Sequence, residues 1–381
     1  MKLITLFAIV GASRALLVPP PEGPYNVAVK HFELVDLSRI DHFAPEPNIT
    51  RRIMVSAYLP VEARRRCKAH IVPYMPSLTA SVFGELGATL GLPQGTIESF
   101  NMEFCDISTI KPMETHRRGR EFPVAIFSPG AQGSRFVYGG MARSLASLGY
   151  LVFTLDHTYE TLVVEFPDGS AAYETTRSRN TSDLVMLEAR TNDVSFLVSQ
   201  LSNKTITDSV LANFPGTFDS SRIVVYGHSF GGSTAAVTAQ RNPRVIGGLN
   251  LDGPIYASVN HEGFKDKPFI IVGVDRDDGP EWDEFYTKID SSKMILKLLK
   301  AQHYAFTDVP LLLEKLKIDP DAQKTLDEVF GTLDGRRVER ATNQIAVGLM
   351  DWLFKNDSNT LKTVDQNADI EVVQSDLVKH S

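Results

Sequence analysis

Short apolar runs alternate with helical stripes along most of this chain. Residues 122–127, 151–155, 222–226, 245–251, 268–274 and 293–299 are rich in Val, Ile, Leu and Phe and are bounded by polar residues or glycine. Unbroken apolarity over so few positions predicts strands covered on both faces, as in a parallel sheet. Between them, residues 136–148, 183–201, 281–289 and 337–354 place their apolar positions at helical spacing. Strands alternating with helices predict right-handed βαβ units, hence an α/β fold on a mostly parallel sheet. Residues 51–59 read as one more strand, and 161–169 as a small hairpin. Leu78, Val82, Leu86 and Leu90 recur at every fourth position before Pro93, which predicts an amphipathic helix. Its stripe either packs on the core or forms a lid-like, lipid-facing surface near the site. Residues 16–355 thus read as a single domain, with 16–48 proline-rich and irregular and 60–120 an irregular, lid-like insertion. Residues 356–381 read as a loose polar tail.

The run at 222–226 leads into Gly227-His228-Ser229-Phe230-Gly231, followed by small residues and a helical stretch. A G-x-S-x-G between strand and helix demands a turn so tight that side chains at its two ends would collide with backbone. The serine is left strained, with its hydroxyl lifted above the sheet. Ser229 is therefore the candidate nucleophile. A serine hydroxyl is weakly nucleophilic near neutral pH and needs a histidine base oriented by a carboxylate. In this strand–turn–helix setting the chain order is Ser, acid, His. His303 follows the last apolar run and is preferred over His261, which has no such strand before it, and over His380 near the chain end. Asp252 and Asp275 both end apolar runs, and spacing alone does not separate them. An oxyanion hole needs two backbone N–H donors. Phe230 supplies one, and the loop 128–133 the other, with Ala131 ahead of Gln132. Asp156-His157 ends a further strand and reads as structural or supporting.

Composition narrows the setting. The chain has 381 residues, a formal net charge of −7 and a pI near 5.8, which argues against nucleic acid as a partner. Lys2, the apolar run 3–10 and the small residues 11–15 predict a signal peptide over 1–15 and a secreted protein. Asn48, Asn180, Asn203 and Asn356 stand in N-glycosylation sequons. Cys67 and Cys105 are the two cysteines, either one disulfide or two core thiols. No metal-ligand spacing and no phosphate-binding glycine pattern occurs, so no metal or other cofactor is expected.

The segments FSPGAQGSRFVYGGMARSLASLGYLVFTLDH, GHSFGGSTA, LNLDGPIY and HYAFTD, in this order, resemble the platelet-activating factor acetylhydrolases. The resemblance covers roughly residues 50–355. It implies an α/β-hydrolase fold and a calcium-independent esterase that removes short or oxidised sn-2 acyl groups from phospholipids, with possible contact to a lipid surface. In that family the acid lies about 23 residues after the nucleophile. Here 252 − 229 = 23, so the resemblance implies Asp252 as the acid, with Asp275 the alternative. It likewise implies His303 as base and Ala131 as second oxyanion donor. This chain carries Pro129-Gly130 where the family usually has His-Gly. The competing readings are a general carboxylesterase or polyester hydrolase and a non-catalytic hydrolase-fold binding protein.

Overall fold

A computed structural model describes residues 16–62, 67–110, 120–275 and 280–377. The expected signal peptide at 1–15 lies outside the described residues. The apolar runs become strands, and two strands that no run announces join them as the first and the last: β1 (Tyr25–Ile40), β2 (Thr50–Glu62), β3 (Val124–Ser128), β4 (Leu151–Asp156), β5 (Ile223–His228), β6 (Val245–Leu251), β7 (Phe269–Val274), β8 (Lys293–Leu298) and β9 (Ile370–Asp376). They form one nine-stranded sheet in the order β9-β8-β7-β6-β5-β3-β4-β2-β1. From β4 across to β8 every neighbour runs parallel. Strands β1, β2 and β9 add antiparallel pairs at the two edges. Every residue of β3, β4, β5 and β7 is buried, because helices cover both faces and leave no polar side.

One face of the sheet carries α2 (Gly139–Ser147) and α5 (Gly335–Lys355), the other α3 (Asp183–Gln200) and α4 (Phe230–Arg241). Two large apolar clusters result, one on each side, and burial of a Leu or Phe side chain in them stabilises by about 1.5–3 kcal/mol. The strand order reverses at β3, which has β4 on one side and β5 on the other. Loops leaving the carboxyl ends of β3 and β5 diverge there and open the crevice where open α/β sheets bind ligands.

Three expectations are corrected. Residues 16–48 are not irregular: Tyr25–Ile40 is the longest strand, paired along β2 at one sheet edge. The 60–120 stretch is ordered where described. Lys68–Pro73 pairs antiparallel with Phe100–Asp106, which also pairs with Leu16–Leu17 to make a small separate sheet. Cys67 and Cys105 are joined as a disulfide with Cα atoms 5.4 Å apart, beside the first of those pairs. The polar tail supplies β9, which covers the open edge of β8. An uncovered parallel edge would leave a row of unpaired backbone groups, and this segment closes it.

The amphipathic helix forms as α1 (Ser77–Thr89), but with a different face inward. Thr79, Ala80, Phe83, Gly84 and Gly87 are buried, whereas Leu86 is 46% exposed and Leu78, Val82 and Leu90 are half-buried. The glycines allow close approach, so Phe83 and small residues rather than the leucine stripe meet the body of the protein. Glu165 caps the helix start by accepting from the Thr79 N–H and hydroxyl at 2.8 and 2.7 Å.

Candidate active site

The turn after β5 has the strain that its glycines suggest. Ser229 sits at φ 55°, ψ −126°, a conformation that non-glycine residues rarely adopt. A Cβ on Gly227 would lie 2.3 Å from the Gly231 carbonyl oxygen, and one on Gly231 would lie 1.9 Å from that of Ser128. Neither position accepts a side chain. The Ser229 N–H donates to the Leu251 carbonyl at 2.8 Å, which ties the bend to the end of β6.

Asp252 follows β6, also at positive φ (55°), and is buried. Its own N–H donates to Val272 at 2.8 Å, and Asn250 bridges the turn through Gly253 in both directions, at 2.9 and 2.7 Å. His303 opens a short 3-10 turn (His303–Phe306) in the loop after β8. The three side chains meet. His303 Nδ1 lies 2.5 Å from Asp252 Oδ2, and His303 Nε2 lies 2.9 Å from Ser229 Oγ. A carboxylate only accepts, so the Nδ1–H donates to it and Nε2 is free to accept the serine proton. Asp275, the rival acid, stands exposed at the end of β7. His261 lies on a separate helix with its side chain 70% exposed, facing Glu284 at 3.6 Å.

The loop after β3 closes the crevice. Gly130 to Gly133 make a tight turn, with the Gly133 N–H donating to Gly130 at 3.0 Å and Gln132 at φ 62°. Arg190, fully buried on α3, holds this turn from behind. It donates to the Pro129 and Gly130 carbonyls at 2.7 and 3.1 Å, and its charge is met by Glu160 through two bonds of 2.6 Å. Those carbonyls therefore point into the protein, and the Gly130 N–H is taken by Tyr138. Ala131 and Gln132, between Gly130 and Gly133, are both exposed. The Phe230 N–H opens α4, where no preceding turn supplies an acceptor.

A second Ser–His–Asp arrangement lies deeper. His157 Nε2 is 3.0 Å from Ser128 Oγ, and His157 Nδ1 is 2.9 Å from Asp193. All three residues are sealed, between 0 and 1% exposed. Asp193 is paired with Arg51 and held far below the usual carboxylate range despite its burial. This is an internal polar network behind the turn, and Asp156 lies outside it, accepting from the Ser134 hydroxyl and the Arg135 N–H. Sequence reasoning missed Arg190 on α3, Tyr138 in the 3-10 turn before α2 and His228 at the end of β5, because a single buried polar residue adds nothing to an apolar periodicity.

The sequon asparagines Asn48, Asn180, Asn203 and Asn356 are all exposed. Among the described residues no helix is long and apolar enough to cross a membrane.

A strained serine at the switch point of a mostly parallel sheet, bonded to a histidine and a buried aspartate, defines an α/β-hydrolase of the carboxylic-ester hydrolase class. The family described as platelet-activating factor acetylhydrolase, isoform II, matches residues 95–185 and 198–318, and the chain belongs to it. A protein of Arthroderma benhamiae named probable 1-alkyl-2-acetylglycerophosphocholine esterase is 27% identical over 318 residues, 79% of this chain and 78% of that one. The platelet-activating factor acetylhydrolase of Cavia porcellus is 28% identical over 161 residues, 37% of this chain and 36% of its own length. That of Bos taurus is 22% identical over 286 residues, 68% of this chain and 58% of its own. In overall fold the chain is similar to a ferulic acid esterase from Streptomyces cinnamoneus, with a TM-score of 0.76 at 23% identity over 95% of this chain and 100% of that one.

Proposed function

We propose that this chain is a secreted, calcium-independent esterase that removes short or oxidised sn-2 acyl groups from phospholipids of the 1-alkyl-2-acetylglycerophosphocholine kind. The observation that carries the reading is the unbroken line Asp252–His303–Ser229, at 2.5 and 2.9 Å, in a family of acetylhydrolases. Ser229 Oγ attacks the ester carbonyl while its proton passes to His303 Nε2. Asp252 holds the imidazole in the required tautomer and offsets the imidazolium charge. The oxyanion is met by the N–H groups of Phe230 and Ala131, with the field of the α4 N-terminus behind them. His303 then protonates the departing glycerol oxygen, and water, deprotonated by His303, releases the acid and restores Ser229.

The test is a hydrolysis profile of wild type and Ser229→Ala over acetyl, oxidised short-chain and long-chain sn-2 phospholipids, p-nitrophenyl esters and polyester film. Wild type is expected to favour the acetyl and oxidised phospholipids, and Ser229→Ala to be inactive with an unchanged fold. Equal rates on the simple esters or the film would assign the site to a general carboxylesterase or polyester hydrolase. Failure of wild type to label with a fluorophosphonate would assign it to a binding protein.

A further inference from the structure

A turn that offers a backbone N–H to an oxyanion works only if it is held in place before substrate arrives. The Gly130 N–H donates to the Tyr138 hydroxyl oxygen at 3.1 Å, and that oxygen lies 2.9 Å from His228 Nδ1. The other ring nitrogen of His228, Nε2, is 2.8 Å from the His303 carbonyl oxygen. A carbonyl only accepts, so Nε2 carries the hydrogen, Nδ1 is the acceptor, and the Tyr138 O–H donates to it. Every polarity in the line is thereby fixed, and it needs an uncharged imidazole. Burial, aided by the nearby His303 ring, pushes the His228 value down to about 3. The line is also tightly packed. A Cβ on Gly130 would stand 3.2 Å from the Tyr138 hydroxyl, 3.3 Å from His228 Nδ1 and 3.3 Å from Ser229 Cβ.

We propose that Tyr138 and His228 form a strut that spaces the oxyanion turn and the His303 loop around Ser229, as positioning residues for the esterase reaction. The inference rests on the reading of the previous subsection. Both side chains are buried and bonded to backbone of the two loops, Gly130 on one side and His303 on the other.

The test uses the full chain as Tyr138→Phe, His228→Gln and the double variant, assayed on p-nitrophenyl acetate with active sites counted by fluorophosphonate titration. Removing a direct oxyanion donor costs a factor of 10²–10³, so loosening the turn that bears one is expected to lower kcat per titrated site about tenfold. KM should stay within about twofold, because ground-state binding is not what the strut controls. The double variant should lose no more than the worse single one, since both break the same line. Wild-type kcat per titrated site in Tyr138→Phe, or losses that multiply in the double variant, would overturn the strut. Should His228→Gln not fold, Tyr138→Phe alone decides, since it deletes one hydroxyl and keeps the ring. Activity in Ser229→Ala, assayed alongside, would instead overturn the esterase reading itself.

Discussion

Two aspartates end neighbouring strands, and only one of them meets the imidazole. Asp252 is buried at 2.5 Å from His303 Nδ1, whereas Asp275 is exposed one strand further along. An amide at the acid position leaves the packing intact but favours the wrong tautomer, so Asp252→Asn should lower kcat by about four orders of magnitude. Asp275→Asn should leave kcat within about twofold of wild type by steady-state assay of the same ester. The reverse ranking would reassign the acid. Similar reasoning separates the two Ser–His–Asp arrangements. Ser128, His157 and Asp193 have the bonding but no route for a substrate, being 0 to 1% exposed, while the His303 side chain is 31% exposed. The nucleophile was legible in the sequence because Gly227 and Gly231 report a local steric demand. The acid was not legible from spacing, because both candidates satisfy the same strand-end rule.

Among the elements, β9 departs furthest from its sequence pattern. Ile370 is buried, Val372 partly so and Val373 exposed, while the other residues of the strand are polar and the apolar content too small to announce it. Its backbone nonetheless pairs with β8 from Lys293 to Leu298. A chain ended at Asn367 should lose the edge cover of β8 and expose its backbone donors and acceptors. The expected outcome is a lower thermal midpoint and association visible by light scattering. An unchanged midpoint and a monodisperse product would show that β9 contributes little. Helix α1 differs in another way: the helix forms as its periodicity predicts, and Thr79, Ala80, Phe83, Gly84 and Gly87 rather than the leucine stripe face inward. Helical spacing identifies a stripe, but Gly84 and Gly87 permit a closer approach than leucine does, and close approach won.

The molecule as a whole buries titratable groups whose effects on stability have opposite signs. His228 ionises at 6.5 when unfolded but only at about 3 in the fold, so acidification loads protons onto the unfolded chain first. Stability from this residue is complete above 6.5 and is lost at about 1.4 kcal/mol per pH unit as pH falls toward 3. His157, lowered by its burial and by Arg190, acts in the same direction. Asp308 acts in the opposite one. It is pushed up to about 7 by burial, against the N–H groups of Gly140 and Met141, so its contribution falls as pH rises from 3.8 toward 7. His31, pushed down to about 3 by desolvation and by the Arg135 charge, adds a third histidine. Against the three stand Asp308 and the smaller upward shifts of Glu314 and Glu339, so chemical denaturation should show stability falling between pH 6.5 and 4. A flat or rising trend would contradict these environments. Asp308→Asn removes the largest opposing contribution and should steepen the fall.

The amino-acid sequence by itself determined the strand–helix alternation, the strained serine turn and the class of chemistry, because each reports a local demand: burial on both faces, a steric limit, a hydroxyl that needs a base. The tertiary structure decided which aspartate faces His303, which of two Ser–His–Asp arrangements opens to solvent, how Arg190 and Tyr138 hold the turn after β3, and how a polar tail closes the sheet. Those outcomes depend on register and solvent access between segments tens to hundreds of residues apart. No pattern of neighbouring residues encodes that distance.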